Sequence, residues 1–232
     1  MSQLNFRKAT RKQAKLRLAL VAPSGFGKTY SALRVATGLG GKVAILDTEN
    51  GSADLYANDF EYDVLTMNAP FEPAKYVMAI KAAEDAGYDT IILDSISHAW
   101  AGTGGLLDKH GALSDKGGNS FTAWRKVTPD HNALVDAILQ SKIHVIATMR
   151  SKVDYAMEGG KVVKLGLAPV QREGMEYEFT CVLDLDQKHN GHASKDRTGL
   201  FDNKVVPMTE GVGKELKAWL ETETKETKEE TK

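Results

Sequence analysis

Apolar residues along this 232-residue chain gather in short, nearly continuous runs separated by stretches of helical spacing. Residues 15–22 turn apolar in their second half (KLRLALV, then Ala22), and 42–47 (KVAILD), 62–67 (YDVLTM), 89–94 (DTIILD) and 143–149 (IHVIATM) repeat the pattern. Runs of this length, bounded by polar residues, predict buried strands. Between them, 30–39 and 72–87 have helical spacing, and 121–141 puts Ala123, Val127, Leu134, Ile138 and Leu139 on one side. Pro129 within that last segment predicts a kink or a fresh start. The glycine-rich stretch 102–119 predicts a mobile loop broken by a short helix around Leu106 to His110, and 150–171 reads as a second irregular stretch. Residues 178–186 (EFTCVLDLD) predict a strand, Asn190-Gly191 a turn, and 192–197 the returning hairpin partner. A final helix is expected over 211–222 around Leu216, Trp219 and Leu220. Strands alternating with helices predict an α/β domain, a mostly parallel sheet with helices on both faces and an antiparallel edge hairpin. The organisation that follows is a basic arm (1–14), one domain (15–220) and a tail (221–232) built only of Glu, Thr and Lys, expected to be disordered.

Composition narrows this picture. With 42% hydrophobic residues the chain can build a core, and a net charge of −1 argues against a wholly basic nucleic-acid binder. The charge is uneven, however. No Asp or Glu occurs from Met1 to Leu46, where Arg7, Lys8, Arg11, Lys12, Lys15, Arg17, Lys28, Arg34 and Lys42 are all basic, a stretch suited to phosphate contacts. Cys181 is the one cysteine, so no disulfide forms within the chain, which suits a reducing compartment. No signal peptide and no bilayer-spanning apolar stretch are evident, and a cytoplasmic protein is expected. The histidines lack the companions of a zinc site; His189 and His192 lie close together without cysteines at suitable spacing.

The chemistry begins at Ala22-Pro23-Ser24-Gly25-Phe26-Gly27-Lys28-Thr29, a P-loop in all but its first residue, where Ala22 replaces the usual glycine. It follows a predicted strand and precedes a predicted helix. There successive backbone N–H groups and the helix N-terminus form a phosphate-binding nest. Pro23, Ser24, Gly25, Phe26, Gly27, Lys28, Thr29 and Tyr30 are therefore candidate nucleotide-binding residues, with Lys28 for the β- and γ-phosphates and the Thr29 hydroxyl for Mg²⁺. Asp94, ending an apolar strand, is the candidate Walker B acid and second Mg²⁺ residue, with Ser95 beside it. Glu49, after the strand 42–47, is the candidate base for the attacking water. Thr148 and Arg150 end another strand, so four strand ends converge where ligands bind in open α/β sheets. Lys195 and Arg197 share one face of the late hairpin and are candidate γ-phosphate fingers, in the same subunit or from a neighbour. Arg150, Lys152, Lys161, Lys164 and Arg172, with Tyr155, offer the cation-plus-aromatic mixture that single-stranded nucleic acid needs, a signal weakened by the interleaved Asp154 and Glu158.

The runs PSGFGKTYSALRVATGL, ILDTENGSADLYA, IILDSISHAW, FTAWRKVTPDHNAL, HVIATMRSK, GLAPVQREGMEYEF and SKDRTGLF together resemble the phage-encoded RecA-like ATPases, in particular the Sak-four group of single-strand annealing proteins, also catalogued as phage AAA-domain ATPases. The resemblance covers about residues 5–220. It implies a RecA-like P-loop core that binds ATP and Mg²⁺ and works on single-stranded DNA during phage recombination in the bacterial cytoplasm. It maps the catalytic base to Glu49, the Walker B acid to Asp94, two flexible DNA-binding loops to 102–119 and 151–170, and a pair of fingers entering the neighbour's site to Lys195 and Arg197. That implies a homo-oligomer, ring or filament; a single-strand-binding protein is a further candidate partner. RecA ends its fourth core strand with a γ-phosphate-sensing Gln. Thr148 stands there in this chain, so sensing falls to Thr148 or to Arg150. RecA's long amino-terminal and extra carboxy-terminal domains have no counterpart in the sequence, which points to annealing with modest turnover.

Other function classes stay open from sequence. A ring helicase or helicase loader would use the same core and fingers. A small-molecule kinase would want an Arg-rich lid, for which 150–172 offers only Arg150 and Arg172. A nucleotide-gated interaction protein would use the charged tail.

Overall fold

The computed structural model describes residues 14–115, 119–158 and 161–222, excluding the side chains of 154–166. The expected basic arm and tail therefore lie almost wholly outside the described residues. Strands β1 (Arg17–Ala22), β2 (Val43–Asp47), β3 (Asp63–Thr66), β4 (Thr90–Asp94), β5 (His144–Glu158), β6 (Lys161–Pro169), β7 (Cys181–Leu185), β8 (Asn190–Asp196) and β9 (Val205–Pro207) alternate with α1 (Lys28–Leu39), α2 (Pro73–Asp85), α3 (Ser97–Ala101), α4 (Leu106–Asp115), α5 (Ser120–Gln140) and α6 (Glu210–Glu221). Among the described residues these nine strands form one sheet in the order β3-β2-β4-β5-β1-β7-β8-β9, with β6 paired to the outer half of β5. Pairing is parallel from β3 through β7 and antiparallel for β7–β8, β8–β9 and β5–β6. This is the expected α/β class, a mostly parallel sheet with an antiparallel edge hairpin.

The period of two along each strand builds two cores. On β1, Leu18, Leu20 and Ala22 pack towards α1 and α6, while Ala19 and Val21 pack towards α2 and α5. The contact between α1 and α6 is as close as backbones allow. A Cβ on Gly38 would lie 2.0 Å from the Glu210 carbonyl oxygen, and one on Gly213 would lie 2.2 Å from that of Val35. That contact fixes α6 behind the P-loop helix.

Four expectations are corrected. The irregular stretch read over 150–171 is a long antiparallel hairpin: β5 runs on past the sheet to Glu158, and β6 returns from Lys161 to Pro169. Backbone pairing takes up the N–H and C=O groups that a loop would leave to water. The short helix near Leu106 extends to Asp115. Helix α5 passes through Pro129 as one element, so no new segment starts there, and the ring lies on an exposed face. Arg17 is not free for phosphate. It is 5% exposed and donates to the carbonyls of Leu16 and Ile143 (both 2.9 Å), Leu139 (3.1 Å) and Ser141, so its charge caps the carboxyl end of α5.

Two histidines, half-buried His144 and buried His131, make stability pH-dependent. His144 Nδ1 accepts the Leu16 N–H (3.0 Å), which requires the uncharged ring. Burial, then the charges of Lys15 and Arg17, push it down to about 4. His131 is likewise pushed down to about 4 by burial and then Arg172. An unfolded histidine titrates near 6.5, so between about pH 6.5 and pH 4 the unfolded chain binds protons the folded chain refuses. Stability is full above that window and falls as pH drops through it, on the order of 1–3 kcal/mol per ring. Thermal melts across the window should show Tm falling, and His144→Gln should lose less. A wild-type Tm flat over the window would contradict this.

Candidate nucleotide-binding site

At the carboxyl end of β1 the chain turns from Ala22 into the loop 23–27 and enters α1. Gly25 (φ +81°) and Gly27 (φ +74°) make the turn possible. At Gly27 a Cβ would also lie 3.2 Å from the His189 ring. Lys28 Nζ arches back over the loop and donates to the carbonyls of Pro23 (2.8 Å) and Ala22 (3.1 Å). Burial lowers its pKa, and the nearby Asp94 and Glu49 carboxylates partly restore it. The loop opens into a cleft of about 510 Å³ whose walls include Ser24, Gly25, Gly27, Lys28, Thr29 and Tyr30. Two of the predicted segment do not line it: the Phe26 ring packs against the α1–α6 core, and Pro23 contributes only its carbonyl.

Asp94, 1% exposed, lies across from the loop. Its Oδ2 accepts from Thr29 Oγ1 (2.6 Å) and its Oδ1 from Thr148 Oγ1 (2.5 Å). Burial raises its pKa, and those two hydroxyls pull it partly back. Thr148 is fully buried on Asp94 and does not line the cleft, so of the two sensor candidates Arg150 is the one in it. The donors here are a carboxylate and a hydroxyl, hard oxygen ligands of the kind Mg²⁺ takes alongside phosphate oxygens and water. No group of three or more His, Cys, Asp or Glu among the described residues would hold a metal by itself.

Glu49 reaches the cleft because the end of β2 is pinned. Buried Asp47 accepts the N–H groups of Glu49 (2.6 Å) and Ala53 (3.2 Å), setting the turn into a short 3-10 helix, Ser52–Tyr56. Thr48 N–H donates to the Asp94 carbonyl (2.7 Å), its Oγ1 accepts the Ser95 N–H (2.9 Å), and that oxygen lies 2.8 Å from His98 Nδ1. These bonds tie β2 to β4. The Glu49 carboxylate is then held by Ser95 Oγ (3.1 Å) and gripped by Arg150 through Nε (2.9 Å) and Nη2. Burial alone would raise its pKa, but the hydrogen bond and charge of Arg150 hold it below the ordinary range.

Tyr30, Tyr56 and His189 bring rings to the cleft. Tyr30 meets Tyr56 (5.4 Å) and Phe60 (5.1 Å) edge to face. Tyr56, Ser52 and His189 escape a reading by motif. His189 has a topological cause: β7 runs parallel to β1 with Val21 opposite Asp184, so the β7–β8 turn emerges beside the P-loop. Asp186 shapes that turn by accepting the N–H groups of Lys188 (2.8 Å) and Asn190 (2.9 Å).

The same topology separates Lys195 and Arg197 from this cleft. They lie where β8 meets the start of β7, opposite the start of β1 at Leu18, the far end of the sheet from the P-loop. There Lys195 and Arg197 both donate to the Tyr177 carbonyl. Of the residues predicted to bind DNA, Arg150 lies in the cleft and Lys152 is exposed on β5. Lys161 and Lys164 stand on β6, and their side chains are outside the described set.

A family model described as an AAA domain matches residues 14–211. The chain belongs to this AAA-domain family. No curated protein matches it. Membership in the AAA-domain family implies nucleotide-dependent ATPase activity, and the cleft at the end of β1 is where an AAA-domain P-loop would hold the nucleotide. No helix among the described residues is long and apolar enough to cross a membrane.

Proposed function

We propose that this chain is an ATPase of phage recombination that binds and anneals single-stranded DNA in the host cytoplasm under control of its nucleotide, in the manner of the Sak-four group. The observation that carries the coupling is Arg150. It sits in the cleft on Glu49 and is also the root of the β5–β6 hairpin: its N–H donates to Ser97 Oγ (2.9 Å) and its carbonyl accepts the Val170 N–H (2.7 Å).

ATP phosphates lie on the backbone N–H groups of 24–30, with Lys28 released from the Pro23 carbonyl onto the β- and γ-oxygens. Thr29 and Asp94 would hold Mg²⁺, which when bound would neutralise charge on the phosphates. Tyr30, Tyr56 and His189 give the base its apolar surroundings. The γ-phosphate competes for Arg150, which leaves Glu49. Freed of that cation, Glu49 regains basicity and takes the proton of the attacking water. As Arg150 moves, both strands of the hairpin and Lys152, Lys161 and Lys164 move with it, so ATP biases the hairpin towards DNA.

Lys195 and Arg197, distant from their own cleft, serve a neighbouring copy in a ring or filament. That placement also suits a ring helicase or loader, for which unwinding of a forked duplex is the distinguishing result. The coupling itself is tested by fluorescence anisotropy with a labelled single strand. A non-hydrolysable ATP analogue should tighten binding about 5- to 150-fold, the usual range of coupling between sites. Arg150→Ala should bind DNA equally with and without it. Equal wild-type affinities in both states would remove Arg150 as the link.

A further inference from the structure

A second feature stands outside the cleft, on the face formed by α4 and α5. Trp124 of α5 stacks on His110 of α4, with centroids 4.1 Å apart and planes at 25°. It also lies nearly parallel to Trp100 of α3, 5.7 Å away at 16°. The Arg172 guanidinium sits over the Trp124 ring at 5.7 Å and donates to Thr128 Oγ1 (3.3 Å). One turn earlier on α5, Phe121 is 75% exposed. Phe121, Trp124, Arg125, Thr128, Asn132 and Asp136 form one stripe along the helix and line an open groove of about 690 Å³.

A phenyl ring left in water at the mouth of a groove, backed by stacked rings, has unused apolar and π surface. The charges beside it favour an anion. Arg125 is exposed and Arg172 is half-buried, while Asp130 is already paired with Lys109 and Asp136 stands at the groove's far end. Aromatic faces interleaved with cations are the surface a flexible polyanion of stacked bases fits, whereas a protein partner would more often want an uncharged centre. The groove is also wired to the cleft: Arg172 lies two residues after Val170, whose N–H holds the Arg150 carbonyl, and Gln171 between them donates to the Ile96 carbonyl (2.9 Å).

We propose that this face is a base-stacking platform for a DNA single strand. Phe121 takes one base on its open face, Trp124 forms the wall, and Arg125 and Arg172 take the adjoining phosphates. The proposal rests on the single-strand reading above and adds a contact outside the β5–β6 hairpin.

The test is anisotropy of a fluorescein-labelled oligo(dT) with the full chain and an ATP analogue, over a salt series, using wild type, Phe121→Ala, Phe121→Trp and Arg125→Ala. Phe121 is exposed and does not line the nucleotide cleft, so DNA-free ATP hydrolysis serves as the folding control. Phe121→Ala should weaken binding on the order of 10-fold with an unchanged salt slope, the mark of lost stacking. Phe121→Trp should restore it. Arg125→Ala should reduce the slope of log K against log salt by about 0.7, one phosphate contact. Wild-type affinity in Phe121→Ala would overturn the platform while leaving the single-strand reading intact. Wild type that binds no oligo(dT) would overturn both. A change of oligomeric state in Phe121→Ala would reassign the face to contact between copies and overturn the proposal.

Discussion

Glu49→Gln is expected to bind ATP as wild type does and to hydrolyse it about 10²–10⁴-fold more slowly, the usual contribution of a positioned base. The amide keeps the shape of the carboxylate and can still accept from Ser95 Oγ and Arg150 Nε, so the pinned end of β2 and the P-loop should hold their places. What it lacks is the ability to take a proton. Nucleotide titration would show the retained affinity and phosphate release the lost turnover. Full turnover in the variant would remove Glu49 from the mechanism and leave the cleft without a carboxylate free for the task, since Asp94 is engaged by Thr29 and Thr148.

Arg197→Ala is expected to lower hydrolysis about 10³–10⁵-fold in the assembled protein, the size of a finger's contribution. The side chain is exposed and touches only the Tyr177 carbonyl among the contacts given above, so the fold should tolerate its loss. Because it lies at the opposite end of the sheet from its own P-loop, the defect should appear at a neighbour's cleft. Mixing Arg197→Ala with Glu49→Gln subunits should then recover part of the activity, as some junctions pair an intact Glu49 with an intact Arg197. Mixtures as inactive as either parent would argue against a shared site.

Much of the fold could be read in advance because its central strands are buried on both faces and announce themselves as continuous apolar runs. The P-loop was legible for the same reason: a glycine-rich turn between such a run and a helix has few other uses. Asp94, Glu49 and Arg150 were legible as strand-end polar residues, and parallel strands bring their ends together. What sequence hid is what depends on strand order and direction. That β7 lies beside β1 carries the β7–β8 turn and His189 to the cleft and leaves Lys195 and Arg197 far from it. The β5–β6 hairpin was hidden by its charges. Val153, Tyr155 and Met157 alternate with polar and small residues and Gly159-Gly160 follows, a hairpin pattern in sequence, but Lys152, Asp154 and Glu158 read as loop. Arg17 was misread for a similar reason, since a basic residue in a basic stretch gives no sign that three carbonyls near the end of α5 await it.

The measurement that bears most directly on the account is steady-state ATP hydrolysis with and without single-stranded DNA, at low and high salt, with Lys28→Ala as the control. DNA should stimulate turnover, the stimulation should fade as salt rises because phosphate contacts are being screened and displaced, and Lys28→Ala should show no turnover. Turnover that depends on Lys28 but is the same with and without DNA at both salts would contradict it, and would separate the nucleotide cleft from nucleic acid altogether.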